Sequence, residues 1–208
     1  MVTTSETLRS SLDALAAIEP GFAAALGRVG YPPTRMRSPG YETLLRTIVG
    51  QQVSVAAAAA VWAKLEAELG TGCGADVLLS RDHDALRACG LSRQKQGYAR
   101  SLAELVLSGE LDLHALPDDD EEAIAQLVRV KGIGRWSAEI YLLFAEGRPD
   151  IWPAGDLAVQ IEIGRILGWP ERPSEKAVRD IAERWRPHRG AAAIMAWHHY
   201  NTKMDVLG

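Results

Sequence analysis

The chain is poor in cysteine: its 208 residues include only two, Cys73 and Cys89. Neither has a close-spaced Cys or His beside it, so a disulfide framework and a zinc site are both excluded. The pair is expected to be buried or inert thiols in a reducing compartment. Long apolar runs are missing as well. None reaches the roughly 18 residues of a membrane span, and "MVTTSETLRS" carries no signal-peptide core. A soluble, cytoplasmic protein without membrane contact is expected. Positive charge is in deficit, 23 Lys and Arg against 27 Asp and Glu, for a formal net charge of −4. A polyanionic partner would therefore have to be held by local clusters. The five histidines show no metal spacing; His198 and His199 are adjacent and face different ways on a helix.

What is present is helical periodicity, with no strand-type alternation. "SETLRSSLDALAAI" opens on Ser5 as a plausible cap and places Leu8, Leu12, Leu15 and Ile18 on one face. "GYPPTRMRSPGYE" reads as a connector. A long helix is expected from Tyr41 through Leu69, with Gly50 as a possible interruption and Ala56 to Ala60 open to a close helix neighbour. Shorter helices are expected near 76–79, 83–88, 92–108 and 120–129. After residue 134 come a helix to about Glu146, one from Leu157 to Leu167, and two more near 174–185 and 190–201. No repeat of fixed period and no low-complexity tract occurs. The class is all-α, with about ten helices, and the length allows one core or two small lobes sharing a cleft.

One stretch, "VRVKGIGRWSAEIYLLF" at 128–144, breaks a helical pattern with two glycines. Gly132 and Gly134 permit backbone angles closed to other residues and present no side chain to an approaching group. The helix that follows offers its first N–H groups from Gly134 to Ser137, with the positive end of its dipole behind them. That is an anion site, and phosphate fits it. Arg129, Lys131 and Arg135 add local positive charge. An ordinary helix–helix corner would use the same glycines for geometry alone.

"VKGIGRWSAE" resembles the helix–hairpin–helix motif, which grips a DNA backbone through such N–H groups without reading sequence. Downstream, "WPAGDLAVQ" sets Asp156 after a Gly- and Pro-containing loop and at the start of a helix. An aspartate holds this place in the helix–hairpin–helix DNA glycosylase superfamily. "LLRTIVGQQVSVAAA" is similar to the matching helix of the 3-methyladenine DNA glycosylase II branch. So are "GLSRQKQGYARSLAELV" and "ERWRPHRGAAAIMAWHHY", and the resemblance runs over about residues 39–201. It implies a two-lobed helical glycosylase fold with a cleft between the lobes. Lobe one would be about 1–40 plus 155–208, and lobe two about 41–154 with the hairpin at 120–146.

The resemblance also assigns roles. Asp156 would be the catalytic carboxylate, supporting an oxocarbenium-like sugar as the base departs. Asp is equally a good helix N-cap, and one residue can do both. Gln51 would face the base pocket, and Gln52 would fill the stack emptied by the extruded base. Trp136 and Trp197 match pocket aromatics, where an indole suits an electron-deficient alkylated base. Tyr141 joins them as a candidate whose type fits a core as well; Trp152 stays open, and Trp62, Trp169 and Trp185 read as core. Gly132, Gly134, Arg135, Ser137 and Lys131 would meet DNA at the hairpin. By position alone, Arg93 and Lys95 at a helix start are candidates for phosphate contact, and Arg186 and Arg189 around Pro187 for supporting the cleft, with DNA contact at Lys95 and Arg189. A solvated surface charge is the alternative for all four. Asp150 and Glu139 read as surface charges.

Departures from the superfamily narrow the reaction. Members that also cut the strand carry a lysine where Trp136 stands, so no Schiff base is expected and the product is an abasic site. Cluster-bearing members have four closely spaced C-terminal cysteines, and none follows Cys89, so no iron–sulfur cluster is expected. Larger members of the branch add an N-terminal β-rich domain, for which this chain is too short. Resemblance also places a monovalent cation (Na or K) on the carbonyls of Val128, Val130 and Ile133; no other cofactor is required. The expected partner is double-stranded DNA with damaged bases, bound by a monomer. Three rivals remain: a non-catalytic helix–hairpin–helix DNA-binding protein, a glycosylase of the same superfamily for deaminated or mismatched bases, and a structural all-α domain.

Overall fold

The computed structural model describes residues 4–72 and 74–206; Cys73 lies outside them. Among the described residues there are twelve α-helices, one 3-10 turn and no strand. The all-α expectation holds. The chain folds as two compact units, residues 1–36 with 142–208, and residues 37–141. The second boundary falls within a helix, ahead of the expected break near 154.

The first unit begins with α1 (Ser5–Ile18) and α2 (Pro20–Val29). Thr4, not Ser5, caps α1, in a reciprocal capping box with Thr7. Leu8, Leu12 and Leu15 are buried as expected, whereas Ile18 is 57% exposed because the helix ends there. Pro20 opens α2 at a position where its missing N–H costs nothing. From the C-terminal part come α10 (Leu157–Ile166), α11 (Glu175–Ala182), a 3-10 turn at Glu183–Trp185 and α12 (Arg189–Val206). Their apolar faces meet around Phe22 and Trp185, which are fully buried with rings edge to face at 5.2 Å. Trp152 stands against Trp185 at 5.6 Å and donates its Nε1–H to the Val178 carbonyl at 3.0 Å. The open question about Trp152 is thus answered in favour of the core.

The second unit holds α3 (Tyr41–Gly50), α4 (Val55–Leu69), α5 (Ala75–Ser80), α6 (His83–Ala88), α7 (Arg93–Leu107) and α8 (Asp120–Leu127). The N-terminal part of α9 (Arg135–Phe144) also belongs to it. Leu44, Leu45, Ile48, Leu78, Leu86 and Leu102 form its fully buried interior. The expected single helix from Tyr41 to Leu69 is two helices: α3 stops at Gly50, and Ser54 caps α4 by accepting the Ala57 N–H at 3.2 Å. Of the alanines expected to meet a close helix neighbour, Ala58 is partly buried beside Gly50 of α3, whereas Ala56, Ala57, Ala59 and Ala60 are exposed. Trp62 is buried, but its face carries the Arg46 guanidinium at 4.0 Å. Trp169, in the first unit, is only half-buried.

Truncating Phe22 to Ala should lower stability by about 3–5 kcal/mol, the usual cost of emptying an aromatic core site. Leu157→Ala, at a side chain 53% exposed, should shift it by less than about 0.5 kcal/mol. Denaturant unfolding of the two variants checks both.

Candidate active site and nucleic-acid interface

α8 is started by Asp119, whose carboxylate accepts the Glu122 N–H at 2.9 Å, with Asp120, Glu121 and Glu122 in its first turn. The turn after it is drawn tight by bonds from the N–H of Val130 to Leu127 and of Ile133 to Val130, at 3.2 and 3.0 Å. Gly132 has φ +83°, a left-handed conformation. A Cβ there would stand 2.2 Å from the Tyr98 ring. Glycine is thus required twice, by its own torsion and by its neighbour. The Lys131 N–H is taken by the Ser101 hydroxyl at 3.1 Å, and the Gly132 carbonyl by Gln51 Nε2 at 2.8 Å. The Gly134 carbonyl accepts from Ala138 at 3.1 Å, so the N–H groups of the first turn of α9 lie ahead of the intrahelical ladder.

Charge around the hairpin differs from what the sequence suggests. Arg135 is gripped by both Glu121 oxygens, at 2.5 and 2.8 Å, and its Nε reaches Glu139 at 2.9 Å. Those carboxylates push its pKa up, the Glu121 hydrogen bonds most of all. Glu139 is not a surface charge: it is 2% exposed and bonded to Arg135. Arg129 pairs with Glu110 at 2.5 Å. Lys131 has an exposed side chain, while Ser137 is buried.

Between α3, α4, α7 and α9 the second unit opens into a concavity of about 1400 Å³, whose lining includes Gln51, Gln52, Trp62, Lys95, Tyr98, Trp136 and Ile140. Trp136 is 47% exposed there. Ile140, one turn on, shares its face. Tyr141 does not: it is 3% exposed, and its hydroxyl accepts the Gly40 N–H at 2.8 Å. That position is a core position, not the expected place in a base pocket. Gln52 is exposed with φ +55°, the one non-glycine residue at positive φ among the described residues. Lys95, expected on phosphate, donates instead to the Val49 carbonyl at the end of α3, at 2.7 Å.

In the first unit, Asp156 is the N-cap of α10, with Oδ1 accepting the Val159 N–H at 3.0 Å. The loop before it is held at several points. Asp156 N–H donates to Pro153, Gln160 Nε2 to Ala154, and Ile151, Trp152 and Ala154 are buried. Upstream, Asp150 takes a two-pronged bond from Arg189, both prongs at 2.9 Å, and a further ion pair from Arg186 at 2.6 Å. Both readings from sequence change here. Asp150 is only 16% exposed in its side chain and Arg189 11%, so Asp150 is not a surface charge and the DNA-contact expectation for Arg189 does not fit its position. Gly190 seals the joint: its N–H donates to the Pro149 carbonyl, and a Cβ would stand 2.6 Å from that oxygen. Trp197 is half-buried and lies 5.6 Å from the Phe144 ring.

Residues 45–187 match the HhH-GPD superfamily of base excision DNA repair proteins. The chain belongs to that superfamily. It is 31% identical to DNA-3-methyladenine glycosylase 1 of Schizosaccharomyces pombe over 173 residues, 80% of this chain and 76% of that one. A solved structure of a DNA-3-methyladenine glycosidase from Bacillus halodurans is similar over 94% of this chain and 91% of that one, with TM-score 0.86 and 27% identity. A Schizosaccharomyces pombe 3-methyladenine DNA glycosylase in complex with abasic DNA is similar over 94% and 97%, with TM-score 0.78 and 29% identity.

Within this HhH-GPD chain, sequence reasoning overlooked Tyr98 and Ser101, which hold the hairpin from α7. The sign was available in the spacing: Lys95, Tyr98 and Ser101 recur every three residues and so share a helix face. Arg46, stacked on Trp62, was also missed, and no short motif marks it. Among the described residues no cluster of three His, Cys, Asp or Glu could hold a metal ion.

Gly132→Ala should cost about 2–4 kcal/mol, the sum of left-handed torsion for a residue with Cβ and overpacking against a ring. Arg189→Met should cost about 1.5–3 kcal/mol, because it removes the two-pronged bond from a mostly buried Asp150 carboxylate and leaves it to Arg186 alone. Thermal melts of both variants against wild type provide the check.

Proposed function

We propose that the chain is a monofunctional, monomeric DNA glycosylase, acting in the cytoplasm on double-stranded DNA that carries alkylated bases of the 3-methyladenine and 7-methylguanine type. It hydrolyses the N-glycosidic bond and leaves an abasic site. The observation that carries this reading is Asp156, a carboxylate fixed by a pinned loop at the head of α10, downstream of a hairpin whose following helix carries Trp136 in its first turn.

The hairpin N–H groups take the backbone phosphate, Gln52 enters the stack, and the damaged base leaves the helix. Trp136 offers an electron-rich face to an electron-deficient base, with Gln51 beside it and Trp197 as a further aromatic. An alkylated purine already carries positive charge, so its departure needs little acid assistance. The sugar it leaves behind is cationic, and the Asp156 carboxylate stabilises that charge or orients the attacking water. Being an N-cap does not conflict with this, since a carboxylate has acceptor capacity beyond one N–H bond. Trp136 has no amine, so it cannot form the imine that precedes strand cleavage.

The carbonyls of Val128, Val130 and Ile133 are the groups that would hold a monovalent cation, which would add positive charge behind the phosphate grip. Val130 would have to share its oxygen with the Ile133 N–H.

Asp156→Asn separates the two jobs of the residue. Asn caps a helix about as well as Asp, so stability should stay within about 0.5 kcal/mol. Single-turnover release of 3-methyladenine or 7-methylguanine should fall at least ~100-fold, the scale of removing a preorganised electrostatic group. Strand breaks should appear only after alkali. Release of hypoxanthine or uracil alone would reassign the substrate; no release from any duplex, with binding intact, would reduce Asp156 to a cap.

A further inference from the structure

α7 reaches both loops that the proposed reaction uses, and it does so with one face. Lys95 Nζ donates to the carbonyl of Val49 at 2.7 Å, one of the acceptors left over where α3 ends. Three residues on, the Tyr98 ring occupies the space over Gly132, and its hydroxyl accepts from Gln94 at 2.5 Å. Between these contacts, Gln51 crosses from the end of α3 to the hairpin and donates to the Gly132 carbonyl at 2.8 Å. Gln52 is next in the chain. It is exposed and left-handed at φ +55°, a conformation that a residue with a side chain holds only where its surroundings impose it.

The ties have a geometric consequence. Gln51 is anchored at both ends, through its backbone N–H to Ile48 and through its side chain to Gly132. With Val49, two residues earlier, held by Lys95, the chain has little freedom except at Gln52, ahead of the Ser54 cap. The hairpin is fixed from the same side by the Tyr98 ring. Lys95 is half-buried, and burial pushes the pKa of its ammonium down, which is unlike a solvated cation waiting for phosphate.

We propose that Lys95, Tyr98 and Gln51 form a strut that holds the Gln52 turn in register with the hairpin, so that gripping phosphate at the hairpin presents Gln52 to the base stack. The three are positioning residues, and Lys95 is not a phosphate ligand. This inference rests on the glycosylase reading for its extrusion step.

The test uses a duplex with an abasic-site analogue and 2-aminopurine beside it, titrated with the full chain at several salt concentrations. Wild type should brighten the 2-aminopurine on binding as the stack opens. Lys95→Met and Gln51→Met should each lose more than half of that amplitude at saturation, while the slope of log affinity against log salt stays at the wild-type value. A slope shallower by about 0.9 in Lys95→Met would mean a lost phosphate contact and would overturn the strut. Wild-type amplitude in both variants, or no brightening by wild type, would overturn it as well. Tyr98→Phe keeps the ring and should match wild type; Tyr98→Leu should behave like Gln51→Met. Should Lys95→Met fail to fold, Gln51→Met carries the same readings without removing a charge. Release of an alkylated base by wild type is scored in parallel. No release with normal unstacking rejects the glycosylase reading and leaves the strut; release with unaltered unstacking in the variants does the reverse.

Discussion

At Gly132 the backbone turns left-handed with the ring of Tyr98 pressed where a Cβ would be. The rest of the second unit's working surface depends on that contact. With the ring in place, the Gly132 carbonyl faces Gln51, and the N–H of Lys131 faces Ser101. The first turn of α9 is then presented at a defined angle. Each bond is worth only about 1 kcal/mol by itself. Their value is geometric, because a phosphate bound by N–H groups needs those groups aimed before it arrives.

The first unit solves a parallel problem for a carboxylate. A carboxylate on a mobile loop, if it is to act as proposed for Asp156, would spend interaction energy on its own ordering. Here the loop is fastened at both ends: Asp150 is locked onto the start of α12 by Arg189, and Asp156 is locked onto the start of α10 by its own cap bond. Trp152 sits between these anchors, packed on Trp185 in the interior. A buried ion pair is weak evidence for stability, yet a costly one to break. Such a pair suits a latch whose purpose is to hold one arrangement.

Much of this was legible in the sequence. The hairpin and Asp156 could be read because "VKGIGRWSAE" resembles a helix–hairpin–helix motif and "WPAGDLAVQ" sets an aspartate where that superfamily has one; Gly-x-Gly alone fits an ordinary corner, and Asp alone a cap. The helix class and most helix positions followed from periodicity. What failed shared one cause, that burial and pairing are tertiary facts. Glu139, Asp150 and Arg189 have the residue types of a solvated surface; only the fold shows that Glu139 is buried against Arg135 one turn away and that Asp150 and Arg189 pair across the chain. Tyr141 was misplaced by one residue of helical phase: Ile140, not Tyr141, lies a full turn from Trp136. The break at Gln51 to Ser54 was half-seen, because Gly50 marks the interruption but nothing local announces a left-handed glutamine.

The pairing of cations explains how a chain of net charge −4 suits a polyanion. Arg129, Arg135, Arg186 and Arg189 all face carboxylates of their own chain. Cations already neutralised in this way release few counterions when DNA arrives, so they add little to affinity and little to its salt dependence. Backbone N–H groups at the head of α9 carry no net charge and are not subject to that limit. The grip proposed for them would be indifferent to sequence, as a search for rare lesions requires, and would leave discrimination to the step in which a base leaves the stack. An acidic balance, which leaves a polyanion to be held locally, is therefore consistent with a nucleic-acid partner when binding relies on aimed dipoles more than on a field of free cations.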